Sequence, residues 1–252
     1  MTGAASFILT SAAGAQPAID WSALTKEDTE APSIPDALKD FANQPSLNGP
    51  ITGYQPFGTS PATPEEETLA KKLLDQAPTN CSPIEVALYF LDVANGKYGK
   101  ELRPYTTAWP VRWNPVIVGF FASTNTTPSG DTTAWCAAFV NYCLIRSGIG
   151  RKPISGAADP TYSAASASFR NWGAKVATKA QPGDIVVFKN NSNPNHGHVG
   201  FFVTEDADSV LVLGGNQFEG TPVRHAINRK RIGKHGSVLE LHSYRTDPQL
   251  HA

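Results

Sequence analysis

From Thr63 onward the apolar positions fall into regular periods. Thr63, Pro64 and Glu66 supply an N-cap, a proline at the first helical position and a capping-box acid, which predicts a helix to about Ala77. Ser82, Pro83 and Glu85 repeat the signature ahead of Ile84, Val86, Ala87, Leu88, Phe90 and Leu91, and Asn95-Gly96 marks the stop. Asn114-Pro115 opens a third helix through Val118, Phe120 and Phe121. After a polar loop from Asn125 to Gly130, Asp131 reads as the N-cap or first-turn acid of the most apolar helix, which carries Trp135 to Ile145 and ends at Gly148. Apolar residues lie nearly all round it, the pattern of a helix buried on most sides. A shorter helix is expected over Ala165 to Trp172. From Gln181 the period becomes that of strands: Asp184 to Phe188, His198 to Thr204, Ser209 to Leu213, Val223 to Asn228 and Val238 to Leu241, separated by turn formers such as Pro182-Gly183. Helices followed by strands predict an α+β fold, a buried helix packed on an antiparallel sheet.

Residues 1–62 differ in kind. Pro32, Pro35, Pro45, Pro50, Pro56 and Pro61 break any long periodic element, so this stretch reads as an extended Pro/Ala/Ser-rich leader with one short helix near Ile34 to Asn43. A helical N-terminal region follows at 63–109, and the unit of buried helix and strands occupies 110–245. The apolar share of 40% in 252 residues suits a folded globule. A formal net charge of -1 gives no basic field to recruit nucleic acid or an anionic membrane. Arg224, Arg229, Lys230, Arg231 and Lys234 read as a solvated surface run. No segment is apolar enough for membrane insertion. Met1 to Gln16 has a short apolar stretch and a small-residue site at Ala13-Gly14-Ala15 but no positive n-region, so it makes no convincing signal peptide.

The candidate chemistry starts with the three cysteines. Cys136 and Cys143 on one helix lie roughly 10 Å apart, beyond disulfide reach. Cys143 sits deep in the helix and reads as core. Cys136 stands where the helix begins, where free backbone N–H groups favour a thiolate and can hold an oxyanion. His198, in Asn195-His196-Gly197-His198-Val199-Gly200-Phe201, starts a strand that puts His198, Gly200 and Phe202 on one face and Val199, Phe201 and Val203 on the other. A neutral imidazole there can take a thiol proton and later protonate a leaving amine. His196, in the approach loop, is the weaker candidate for base. Zinc bound by the two histidines and a cysteine is disfavoured for want of paired cysteines and a fourth ligand. Asn216, in Gly214-Gly215-Asn216-Gln217 after the strand Val210 to Leu213, is placed to fix the imidazole tautomer.

Four segments in this order resemble the successive motifs of CHAP-type peptidoglycan hydrolases, of the papain-like group that includes the NlpC-type peptidases. They are Trp135-Cys136-Ala137-Ala138-Phe139-Val140-Asn141, Gln181-Pro182-Gly183-Asp184-Ile185-Val186-Val187-Phe188, Gly197-His198-Val199-Gly200-Phe201 and Gly214-Gly215-Asn216-Gln217. The resemblance covers roughly residues 110 to 242. It implies a cut-down papain-like fold with a helical N-terminal extension, and amidase or endopeptidase activity without a metal or other cofactor. It makes Cys136 the nucleophile, His198 the base and Asn216 the orienting residue. Many CHAP domains carry an acid shortly before that asparagine, where this chain has Gly214.

The resemblance implies a cysteine-dependent hydrolase of peptidoglycan amide bonds, an N-acetylmuramoyl-L-alanine amidase or a peptide-stem endopeptidase. Two other readings stay open: a catalytically silent wall-binding module on the same fold, and an amide hydrolase with a non-wall substrate. The expected site of action is the periplasm or cell wall. Stand-alone domains of this kind resemble both type VI secretion effectors and phage lysins; the effector reading adds an immunity protein or a secretion-apparatus partner.

Overall fold

Both capping boxes form. In this computed structural model, which describes residues 19–29, 32, 60–219 and 224–252, Thr63 caps α1 (Pro64–Gln76) and Ser82 stands at the N-cap of α2 (Pro83–Ala94). In each the acid three residues on accepts from the N-cap backbone, at 2.7 Å for Glu66 and for Glu85. The Asn114 side chain caps α3 (Pro115–Phe120), accepting from Val116 N–H at 2.9 Å. Then comes α4 (Cys136–Gly148), whose N-cap is Trp135. Asp131 is thus not the cap. Its Oδ2 instead accepts from the backbone N–H groups of Trp109 and Asn114, at 2.8 and 2.7 Å, tying the loop ahead of α4 to the segment ahead of α3. The segment read as a helix from Ala165 is a 3-10 turn over Ser166–Asn171. The helix expected near Ile34 to Asn43 lies outside the described residues.

The strands are β1 (Ala174–Lys175), β2 (Ile185–Asn190), β3 (Gly197–Glu205), β4 (Ser209–Glu219), β5 (Arg224–Gly233) and β6 (Leu239–Thr246). They pair antiparallel in the order β1-β6-β2-β3-β4-β5, and with the helices make an α+β fold. Alternation sorts the side chains by face. Ile185, Val187, Val199, Phe201, Val203, Leu211, Leu213 and Ile227 join α4 in the main core; Val186, Phe188, Phe202, Val210 and Val212 form a second cluster on the other face. The main core also takes in Leu73 of α1, Phe90 of α2 and Phe120 of α3, which explains why α4 is apolar nearly all round: it has helices on one side and the sheet on the other.

β4 and β5 run longer than the apolar pattern suggests, because the added stretches, 214–219 of β4 and 229–233 of β5, are largely polar or charged and lie at opposite ends of their ladder. The free edge of β5 is covered twice. Ala108 N–H and the Thr107 hydroxyl donate to His225 C=O at 2.8 and 3.0 Å, and Asp28 N–H donates to Arg229 C=O at 2.9 Å. The second cover belongs to residues 19–29 of the stretch read as a leader, where a 3-10 turn (Trp21–Leu24) packs Ile19, Trp21 and Leu24 on the main core. The basic run is paired with acids: Arg229 with Asp28, Lys230 with Glu27 and Glu219, Arg231 with Asp206 and Lys234 with Glu205.

Phe90 lies at the centre of the helical layer, edge-on to Tyr89, Phe120, Phe139 and Tyr142 with ring centroids 5.0 to 6.0 Å away. Phe90→Ala should lower stability by about 3–5 kcal/mol, the range for a buried aromatic truncated to a cavity. Denaturant titration reads this directly, and a midpoint within error of the parent would show that the helices do not share the core of α4.

Candidate active site

α4 delivers Cys136 to the site from its first turn, with the side chain 2% exposed. Burial pushes the thiol up to about 11, opposed by backbone N–H groups of Val199, Ala137 and Cys136 itself that point at the sulfur. Two of these belong to the open end of the helix, which favours negative charge. The third belongs to the residue after His198, so the sulfur lies against the start of β3, where the histidine stands.

His198 is 6% exposed, and burial pushes its imidazole down to about 4, against the opposing effect of its hydrogen bond to Gln217. At neutral pH both thiol and imidazole are therefore uncharged before substrate arrives. The Nε2 of His198 lies 3.1 Å from Gln217 Oε1. A carbonyl oxygen only accepts, so Nε2 carries the proton and Nδ1 keeps its lone pair. His196 is exposed in the loop ahead of β3. Cys143 is fully buried in α4.

Asn216 does not meet His198. Its Oδ1 lies 2.5 Å from Nδ1 of His225 instead, and the neighbouring Gln217 takes the place beside the His198 imidazole. The cause is a bulge. Gly214 pairs with Asn228 and Gln217 with Ala226, so Gly215 and Asn216 together face a single residue of β5, and Asn216 adopts a left-handed φ of 61°. Without the bulge, alternation from Val212 would put residue 216 on the face of His198; the extra residue moves that position to 217. Gly-Gly-Asn is the sequence sign of such a bulge, because glycine and asparagine enter left-handed backbone at least cost. Glycine is also required for space. A Cβ on Gly215 would come 2.2 Å from Trp135 Cζ3, and one on Gly214 would stand 3.5 Å from His198 Nε2. The contact at Gly214 is an ordinary one, so the close approach is at Gly215.

Asp131, which is buried, and His225, which is half-buried, are also shifted by burial. Burial pushes the Asp131 carboxyl up to about 7, despite the two backbone N–H groups on Oδ2, and pushes His225 down to about 4. Among the described residues no group of three or more histidine, cysteine or acidic side chains is placed to hold a metal ion.

These shifts give the stability a pH dependence of definite sign. An unfolded histidine takes up a proton near 6.5, whereas His198 and His225 resist it until about 4. Each therefore contributes stability that is present above about pH 6.5 and is lost as pH falls towards 4, by about 1.4 kcal/mol per pH unit. Asp131 acts oppositely, since its folded value of about 7 exceeds the ordinary 3.8, so its contribution weakens as pH rises between the two. Taken by themselves, two histidines against one carboxyl leave a net loss of stability on acidification. His225→Gln should flatten that slope in urea titrations between pH 6.5 and 4.5; an unchanged slope would mean that His225 titrates as an exposed histidine does.

Comparison with known proteins adds one match. Residues 128–216 fit the family model described as the CHAP domain. No curated protein and no solved structure matches the chain. The segment that carries Cys136 and His198 is therefore similar to the CHAP domain family.

Proposed function

We propose that this protein hydrolyses amide bonds in peptidoglycan through a papain-like Cys136–His198 pair, with Gln217 rather than Asn216 orienting the imidazole. The observation that carries this reading is the placing of the two groups. The Cys136 sulfur lies at a helix N-terminus against the backbone of Val199, and Gln217 occupies Nε2 of the adjacent His198, which leaves Nδ1 as the nitrogen free to act as base. The CHAP match supports peptidoglycan as the substrate class.

The chemistry follows in order. Substrate binding brings a carbonyl carbon to the sulfur, and Nδ1 of His198 takes the thiol proton as the S–C bond forms. The ion pair arises only in the reaction, because burial holds both groups neutral beforehand. Backbone N–H groups at the start of α4 are oriented to receive the negative oxygen. Collapse of the tetrahedral species breaks the C–N bond, and the imidazolium protonates the leaving amine. Water, deprotonated by the same nitrogen, then hydrolyses the thioester and frees the sulfur. An N-acetylmuramoyl-L-alanine amidase and a stem endopeptidase share these steps and differ in which carbonyl is presented.

Cys136→Ala should abolish release of fragments from purified peptidoglycan with the fold intact, and His198→Ala should be nearly as damaging because the two act as one unit. His196→Ala should keep substantial activity, and Gln217→Ala should lose more than Asn216→Ala. Mass spectrometry of the fragments identifies the bond. Digestion at the parent rate by Cys136→Ala would overturn the assignment. Fused to a secretory signal, the parent should lyse a Gram-negative host from the periplasm and Cys136→Ala should not.

A further inference from the structure

A line of buried polar side chains runs outward from His198 across β4 and β5. Gln217 Nε2 donates to Asn228 Oδ1 at 2.7 Å, and also to the backbone carbonyls of Asn228 and Val212 at 2.7 and 3.3 Å. Asn228 Nδ2 donates to Glu219 Oε2 at 3.1 Å. Lys230 Nζ lies 3.4 Å from the same oxygen and 3.1 Å from Glu27 Oε1. Gln217, Asn228 and Glu219 are 3, 3 and 7% exposed.

Each link has a direction. A carboxylate only accepts, so Glu219 turns the NH2 of Asn228 towards itself and leaves the Asn228 oxygen facing Gln217. That oxygen, together with the backbone carbonyls of Asn228 and Val212, turns the NH2 of Gln217 away from His198, so the Gln217 oxygen faces the imidazole. The imidazole must then donate from Nε2, and the lone pair is left on Nδ1. We propose that the acceptor oxygen of Glu219 sets the tautomer of His198 through these two amides, which makes Asn228 and Glu219 positioning residues for the base. The inference rests on His198 being that base. Were the amides reversed, the Gln217 NH2 would face Nε2 and the proton would move to Nδ1.

Nitrogen-15 NMR of the histidine rings in the full chain tests this, with the His198 signals assigned by their loss in His198→Ala. The parent should show Nε2 protonated; an Nδ1–H ring in the parent overturns the proposal without any variant. Glu219→Gln keeps an acceptor for Asn228 and should retain the Nε2–H tautomer and kcat on a soluble muropeptide within about threefold. Glu219→Leu and Asn228→Leu should shift the ring towards Nδ1–H and lower kcat by about 10–100-fold, the usual cost of removing such a supporting contact, with KM changed by less than about threefold. Folded Leu variants that keep Nε2–H, or an equal loss in Glu219→Gln, would refute the relay. The ring spectra read the relay whatever the substrate, whereas wall digestion by Cys136→Ala tests the functional reading, so the two failures are distinguishable.

Discussion

A neutral imidazole has one proton for two nitrogens, and the fold has to decide which nitrogen holds it. In water the tautomers exchange freely. At His198 burial removes the charged form, so the position of the proton depends on hydrogen bonds alone. Much of the surrounding architecture serves that choice. The bulge at Gly215 and Asn216 turns Gln217 towards the ring, and Trp135 packs where a side chain on Gly215 would otherwise stand.

The same burial governs the nucleophile. Desolvation alone would make Cys136 an inert core thiol, like Cys143 further along the helix, whose thiol burial also pushes well up. What separates the two is their position on α4. Cys136 is at the end where backbone N–H groups are free to face the sulfur, whereas Cys143 lies in the hydrogen-bonded interior. Holding α4 in place takes packing on both sides: the aromatic rings of Phe90 and Phe120 on one, and Val199, Phe201 and Leu213 on the other.

What the sequence disclosed reflects how local the determining physics is. The capping boxes at Thr63 and Ser82 were legible because all their parts lie within four residues, and the faces of β3 because alternation in Val199, Phe201 and Val203 is uninterrupted. Cys136 and His198 stood out by position within their elements. Gln217 was hidden although it adjoins Asn216, since one bulged residue inverts which neighbour points inward. Asp131 was misread as a cap because its partners, Trp109 and Asn114, are far from it in sequence. The polar end of β5 showed no strand pattern, since its partners are acids from elsewhere: Glu27 and Asp28 near the start of the chain, and Asp206 in the turn ahead of β4.

The pairing of Asp28 with Arg229 spans 201 positions. Synthesis runs from the N-terminus, so the segment around Trp21 leaves the ribosome long before the strand that receives it. α4, with its cysteine already in place, also precedes Gln217, Asn228 and Glu219. While the chain is being made, the thiol exists before the amides that surround His198. The order of synthesis therefore delays assembly of this buried cluster until translation has passed β5.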